Sequence, residues 1–160
     1  PESLYGKSKL AGEEFVRTLC HRYLIVRSAW VYGIGRDFVS TVLNAAADPT
    51  CPWLAVPTDR FASPTSADDL TAAVEQLIDH DTLGIYHIVC QGRCSRYDFA
   101  QAILKAAHME DKLELHPIRA ADAGSTPSYT VLDNLMLRLD NLPQPRPWKE
   151  ALNEYINSLQ

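Results

Sequence analysis

Hydrophobic residues recur along the chain with two periods, one typical of amphipathic helices and one typical of buried strands. Helical spacing predicts helices at 6–21 and 38–47. Two more helices are predicted to begin after the capping residues Ser66 and Ser95, and a last helix begins at Trp148. Continuous apolar, β-branched and aromatic runs predict strands at 23–32, 53–56, 84–89 and 113–115. Loops are predicted at 57–64 and at 120–130. Strands that alternate with capped helices indicate the α/β class.

The first predicted helix and the strand after it are both strongly apolar. The helix carries a stripe at spacings of seven, four and four residues, formed by Leu4, Ala11, Phe15 and Leu19. The strand contains the run 24–26 without polar alternation, which favours a position covered on both faces of a parallel sheet. We therefore expect this helix and the strands around Ile25 and Ile85 to belong to one Rossmann-like sheet.

The segment 143–147 contains three prolines and allows two interpretations. A polyproline II stretch can serve as a ligand for an SH3-like partner. A stiff connector that sets the angle of the last helix is favoured, because Trp148 follows immediately.

Composition narrows the class of protein. The 160 residues are 46% hydrophobic and 22% charged, which is typical of a globular protein of one domain's length. The net charge is -5 without a long basic run, and no apolar stretch approaches eighteen residues, so neither a nucleic-acid nor a membrane partner is expected. The four cysteines form no C-x-x-C pair and indicate reduced thiols in a cytoplasmic protein.

The candidate chemistry lies in the first predicted helix. Tyr5 and Lys9 are four residues apart, which places a phenol and an ammonium on one helical face, one turn apart. A free phenol has a pKa of about 10, and an adjacent cation favours the phenolate. Such a pair can deliver a proton to a carbonyl oxygen while hydride reaches the carbon. On this pattern alone, an ordinary surface helix remains the more frequent interpretation.

Further motifs make the pattern more specific, and they occur in order along almost the whole chain. They are 5–13 (YGKSKLAGE), 27–33 (RSAWVYG), 37–39 (DFV), 63–65 (SPT), 84–87 (GIYH), 132–133 (LD) and 148–152 (WKEAL). Together they resemble the extended short-chain dehydrogenase/reductases, specifically the dTDP-4-dehydrorhamnose reductases. The resemblance implies that NADPH or NADH reduces the 4-keto group of a dTDP-linked 6-deoxyhexose. It also implies a homodimer and, in some members, a magnesium ion.

The resemblance implies roles for individual residues. Tyr5 would donate the proton, and Lys9 would activate that phenol while hydrogen-bonding the nicotinamide ribose. Trp30 would lie near the sugar or the nicotinamide, although a core tryptophan that caps the sheet is an equal alternative. Substrate contacts are expected in the loops that hold Arg36, Arg60 and Thr65, where positive charge could hold a diphosphate. Each arginine could also be an ordinary solvated residue.

Four positions depart from the usual pattern of the family. Members usually have Asn, Gln, Gly and Arg where this chain has Asp37, Arg60, Ala62 and Thr126. The change at Thr126 removes an expected anion contact, for which Arg60 could compensate. The identity of the sugar nucleotide therefore stays open.

The chain also lacks the glycine-rich turn that holds the pyrophosphate of a dinucleotide. Gly33 and Gly35 follow a predicted strand, but Phe38 occupies the place of the third glycine. We therefore expect the C-terminal half of a reductase, inactive alone. Residues 1–33 would supply the Tyr/Lys helix and one strand of the sheet. Residues 34–160 would form mainly a small α/β substrate-binding lobe, with strand 84–89 returning to the sheet.

Two other functions remain open at this stage. Reductase-like folds also serve as non-catalytic regulatory subunits, such as the one that binds methionine adenosyltransferase, and the Tyr/Lys pair could then be a relic. Another NAD-dependent sugar-nucleotide epimerase or dehydratase is the second alternative. A metal site is not expected, because His87, His108 and His116 lack ligand spacing.

Overall fold

A computed structural model describes residues 3–124 and 128–159. The helices are α1 Leu4–Leu19, α2 Phe38–Ala47, α3 Ala67–Asp79, α4 Arg96–Ala106, α5 Leu135–Leu139 and α6 Trp148–Ser158, with a 3-10 helix at Ala120–Ala123. The strands are β1 Leu24–Arg27, β2 Val31–Tyr32, β3 Trp53–Pro57, β4 Arg60–Ala62, β5 Thr65–Ser66, β6 Gly84–His87, β7 Cys94–Ser95, β8 Glu114–Ile118 and β9 Ser128–Thr130. The predicted α/β class is confirmed.

The strands pair mainly in parallel. β1 pairs with β6, with Ile25 opposite Ile85, and β2 pairs with β5. β3 pairs with β8, which brings residues about sixty positions apart into register. β4 lies between β7, which is antiparallel to it, and β9, which is parallel.

Local polar residues explain where the main helices begin. The Ser66 hydroxyl accepts a hydrogen bond from the Asp69 backbone N–H and caps α3. Ser95 caps α4, and Asp98 closes a reciprocal capping box with it. Both caps agree with the sequence prediction.

Two buried clusters form the core of the described chain. The larger one joins α2, α4 and α6 around Phe99, which is 1% exposed, and includes Tyr32 and Trp148. The smaller one lies between α3, β6 and α5 and is centred on Leu77 and Leu137. The predicted apolar positions of α3 and α4 therefore face these clusters, except that Ile78 of α3 is 64% exposed and belongs to neither.

The structure corrects several sequence predictions. The predicted loop at 57–64 contains β4, and the described part of the loop at 120–130 contains the 3-10 helix and β9. α5 was not predicted, because five residues are too few for helical periodicity to be visible. The apolar stripe of α1 is exposed on this chain, since no described residue of α1 is buried.

The proline-rich segment is held against the rest of the chain. The Gln91 N–H donates to the Arg146 carbonyl, and the Trp148 N–H donates to the Gln91 carbonyl, both at 3.0 Å. The Arg146 guanidinium pairs with Asp69, at 3.0 Å, and with Glu154. These contacts match the predicted connector, since they join α3 to the start of α6.

Candidate functional site

Tyr5 and Lys9 lie on one face of α1, as their spacing predicts. The helix begins after Ser3, whose hydroxyl accepts a hydrogen bond from the Gly6 N–H at 3.0 Å. The Lys9 ammonium lies 5.7 Å from the centre of the Tyr5 ring. Tyr5 is 72% exposed, so its phenol is open to a ligand. The phenol and the ammonium therefore lie near each other on an accessible surface of α1.

An ion pair fixes α1 to the strand that follows it. Arg27, the last residue of β1, donates through Nε to one oxygen of Glu13 at 2.8 Å and through a terminal nitrogen to the other. The Arg27 guanidinium holds the pKa of Glu13 below its usual value. Arg27 and Glu13 both belong to the motifs quoted above, and their contact sets the position of the Tyr/Lys helix relative to the sheet.

Trp30 has a strained backbone conformation between β1 and β2. Its φ angle is 43°, in the left-handed region that a bulky residue rarely adopts, which costs on the order of 1–3 kcal/mol. The Thr65 N–H donates to the Trp30 carbonyl, and the indole stacks on Phe99 with ring centres 6.2 Å apart. Trp30 is half-buried at the edge of the larger cluster. Strain of this kind is frequent at functional sites.

Arg96 contacts Trp30 and was not among the predicted site residues. Its guanidinium carbon lies 3.7 Å from the centre of the Trp30 ring and 4.4 Å from that of Phe38. Burial and the nearby charge of Arg60 lower the pKa of Arg96 to about 10. One signal was available in the sequence, because Arg96 directly follows a predicted cap, where a helix dipole disfavours a cation.

The three residues predicted to contact the substrate from loops differ in their exposure and in the elements that carry them. Arg36 is exposed in the bend before α2. Arg60 and Thr65 lie in β4 and β5 rather than in loops, so that part of the prediction is wrong. The Thr65 hydroxyl is buried, donates to the Ser63 carbonyl and accepts from the Cys90 N–H. Its hydrogen-bonding capacity is therefore used inside the chain.

The structure shows the surroundings of two of the four positions at which this chain differs from the usual pattern of the family. One carboxylate oxygen of Asp37 accepts from the Ser40 N–H at 2.7 Å and the other from the Gly33 N–H at 2.8 Å. Asp37 thus caps α2 and closes the preceding turn. Ala62 is fully buried in β4, whereas Thr126 lies outside the described residues.

Two cavities of the described chain are lined by residues other than the predicted site residues. Two cavities of about 750 and 770 Å³ are lined by other parts of the chain, at 46–52 with 109–114 and around α4 and α6. Within residues 3–124 and 128–159, no group of three or more His, Cys, Asp or Glu could hold a metal ion. In the same part of the chain, no helix has the length and apolar character that a membrane crossing requires.

Known proteins are similar in sequence to almost the whole of this chain. Residues 1–160 match the family described as RmlD substrate binding domain. The spore coat polysaccharide biosynthesis protein SpsK of Bacillus subtilis is 39% identical over 158 residues, which cover 98% of this chain and 54% of that protein. The dTDP-4-dehydrorhamnose reductase of Mycolicibacterium smegmatis is 35% identical over 167 residues, which cover 98% of this chain and 49% of that protein.

Solved structures share the fold. A dTDP-4-dehydrorhamnose reductase of Clostridium acetobutylicum matches with a TM-score of 0.94 and 41% identity, over all of this chain and 57% of that one. One of Bacillus anthracis, in complex with NADP, matches with a TM-score of 0.93 and 34% identity, over 100% and 56%. A UDP-N-acetylglucosamine 4-epimerase of Bacillus cereus, 20% identical with a TM-score of 0.74, shows the fold alone.

Parallel strand pairs, the helices around them and these neighbours define an α/β chain of the Rossmann-like extended short-chain reductase class. Within that class, the chain belongs to the RmlD substrate-binding domain family. The resemblance found in the sequence is thereby confirmed. The chain spans about half the length of the curated relatives it matches.

Proposed function

We propose that the protein containing this chain reduces the 4-keto group of dTDP-4-dehydro-L-rhamnose with NADPH or NADH. The Tyr5 and Lys9 pair on the exposed face of α1 is the observation that carries this proposal. Relatives named dTDP-4-dehydrorhamnose reductase support it, and one solved relative is in complex with NADP. In this proposal, the chain supplies the substrate-binding half, and residues 1–33 with strand 84–89 contribute to the sheet.

Each site residue of this chain has its own role in the proposed reaction. Tyr5 protonates the carbonyl oxygen of the substrate, and Lys9 stabilises the phenolate that remains and contacts the nicotinamide ribose. A bound nicotinamide supplies the hydride. Trp30, Arg36 and Arg60 lie on the substrate side of the site. Thr65 acts indirectly, because its backbone N–H holds the Trp30 carbonyl.

The test uses the whole protein and two substitutions on α1. Tyr5→Phe keeps the ring but removes the proton donor, so kcat should fall by roughly 10²-fold or more with folding preserved. Lys9→Met should also lower kcat strongly. Lys7→Met is the matched control, since position 7 lies two residues from each member of the pair and so on another part of the helix surface.

The outcomes separate the proposal from its alternatives. Wild-type turnover by Tyr5→Phe would show that the phenol is not the proton donor. A wild-type protein that binds but does not turn over any keto-sugar nucleotide would instead favour the regulatory-subunit alternative. Turnover of a different nucleotide sugar would favour another member of the epimerase and dehydratase group.

A further inference from the structure

Arg96 is a half-buried cation without an acidic partner among the described residues. It is the first residue of α4, and its guanidinium stacks on Trp30 and Phe38. None of the ion pairs and side-chain hydrogen bonds of residues 3–124 and 128–159 includes its guanidinium. The stacking fixes the position of the group but leaves its N–H donors available.

Arg60 is the neighbour of Arg96 across a strand pair. β4 and β7 are antiparallel, with Phe61 opposite Ser95 and Ala62 opposite Cys94. Arg60 and Arg96 directly adjoin the paired residues Phe61 and Ser95, which brings the two arginines near each other. The charge of Arg60 accordingly contributes to the lowered pKa of Arg96. Arg60 donates to the Ser128 hydroxyl at 3.4 Å and forms no ion pair in the described part of the chain.

The nearby carboxylates are engaged elsewhere. Asp98, in the first turn of α4, accepts from the N–H and the hydroxyl of Ser95. Asp37, which precedes Phe38, uses both of its oxygens to accept backbone N–H groups. Asp59, which precedes Arg60, accepts from the Ala120 N–H at 2.8 Å and lies 3.9 Å from Arg119. No other element provides an ion-pair partner to either arginine within the described residues.

The arrangement is electrostatically unfavourable without a bound anion. Arg96 lies at the positive end of a helix dipole and close to a second cation, and each of these costs free energy. Partial burial adds a desolvation penalty, because the guanidinium has exchanged water for aromatic rings. An anion with several oxygen acceptors would attract both guanidinium groups and the helix N-terminus, and this attraction would offset these costs.

We propose that Arg96, together with Arg60, binds the diphosphate of a nucleotide-linked sugar. The identity of this ligand rests on the proposed function. Guanidinium groups bind phosphate oxygens through paired N–H donors, and two adjacent guanidinium groups match two linked phosphoryl groups. The aromatic contacts hold the Arg96 fork in place before the ligand arrives, which reduces the ordering cost of binding. Trp30 is then a positioning residue that acts through Arg96.

Calorimetry with the whole protein tests this site, with dTDP and inorganic pyrophosphate as probes. Arg96→Met keeps an apolar side chain against the aromatic rings but removes the charge, and Arg60→Gln removes the charge from β4. Each substitution should weaken dTDP binding by about 10- to 100-fold, the usual effect of losing a charged hydrogen-bonding group. Ligand-free Arg96→Met should keep or raise its Tm, because it loses an unpaired, half-buried cation.

Arg93→Gln is the matched control. Arg93 is an exposed residue next to β7 whose guanidinium contacts Tyr129, whereas that of Arg96 contacts Trp30 and Phe38. This control changes the net charge by the same amount but should change dTDP affinity less than about twofold, since an exposed distant charge is screened.

Three results would overturn the proposal. They are absence of dTDP binding to the wild-type protein, unchanged dTDP affinity in both variants, and a loss of NADPH affinity without a loss of dTDP affinity. A lower Tm of ligand-free Arg96→Met with unchanged dTDP affinity would assign Arg96 a purely structural role. If both variants weaken dTDP binding while the wild-type protein turns over no keto-sugar nucleotide, this site stands and the proposed reaction fails.

Discussion

Asn134 provides a sharp test of how the smaller cluster is held together. Its side chain is 4% exposed, and its two ends bind the same backbone residue. The Val89 N–H donates to Asn134 Oδ1 at 2.9 Å, and Asn134 Nδ2 donates to the Val89 carbonyl at 2.8 Å. The amide thus takes the place of a neighbouring strand at the point where the chain leaves β6.

Asn134→Ala should remove both partners from a backbone residue that is only 2% exposed. A buried polar group left without a partner costs about 1–3 kcal/mol, so two groups set a range of about 2–6 kcal/mol. Water that enters the vacated volume satisfies part of this loss, and we expect about 2–4 kcal/mol. Urea denaturation should show a lower midpoint with an unchanged m value.

A charge variant and a surface variant complete this test. Asn134→Asp should be worse than alanine at pH 7, because a carboxylate oxygen then faces the Val89 carbonyl. Its carboxyl pKa should be raised by folding, so the penalty grows as pH rises through about 4 and disappears below it. Asn44→Ala, at an exposed position of α2, should change stability by less than about 0.5 kcal/mol. A loss below about 1 kcal/mol in Asn134→Ala would refute the reasoning.

Other predictions concern glycine packing, the surface of α1 and cofactor affinity. Gly33→Ala should lower the free energy of unfolding by about 1–3 kcal/mol, because an added Cβ would lie 2.8 Å from Ala67 Cβ. Gly12→Ala meets open space and should stabilise α1 by about 0.5–1 kcal/mol. Urea denaturation measures both changes in stability. The α1 face with Phe15 and Leu19 exposed should bind hydrophobic dyes or self-associate, and a strict monomer without dye binding would contradict this. The 160-residue chain alone should not bind NADPH with micromolar affinity, because its sequence has no glycine-rich phosphate turn; calorimetry would reveal the opposite.

The sequence predicted those parts of the fold that depend on local patterns. α2 has the predicted bounds, and the Ser66 and Ser95 caps lie where their hydroxyls can reach backbone N–H groups. β4 and β9 were missed because each has three residues and forms through pairing with a distant segment. Periodicity is a local signal, and it does not report on pairing between residues about seventy positions apart.

The candidate site shows the same division. The four-residue spacing of Tyr5 and Lys9 is local, and it placed both groups on one face of α1. Arg96 was missed because its surroundings come from three separate segments of the chain, which carry Trp30, Phe38 and Arg60. Thr65 was assigned to a loop because the pairing of β5 with β2 cannot be recognised from two residues. Contacts between distant segments therefore decide the surroundings of Arg96 and Thr65.

The proline-rich connector also has a consequence for the way this chain unfolds. Leu142, just before it, packs on the smaller cluster, and Trp148, just after it, is buried in the larger one. Arg146 ties the same stretch to Asp69 and Glu154. Because the connector between Leu142 and Trp148 is short, unfolding of either cluster would displace a residue that is packed against the other. The connector thus couples the two clusters mechanically and favours a single cooperative transition.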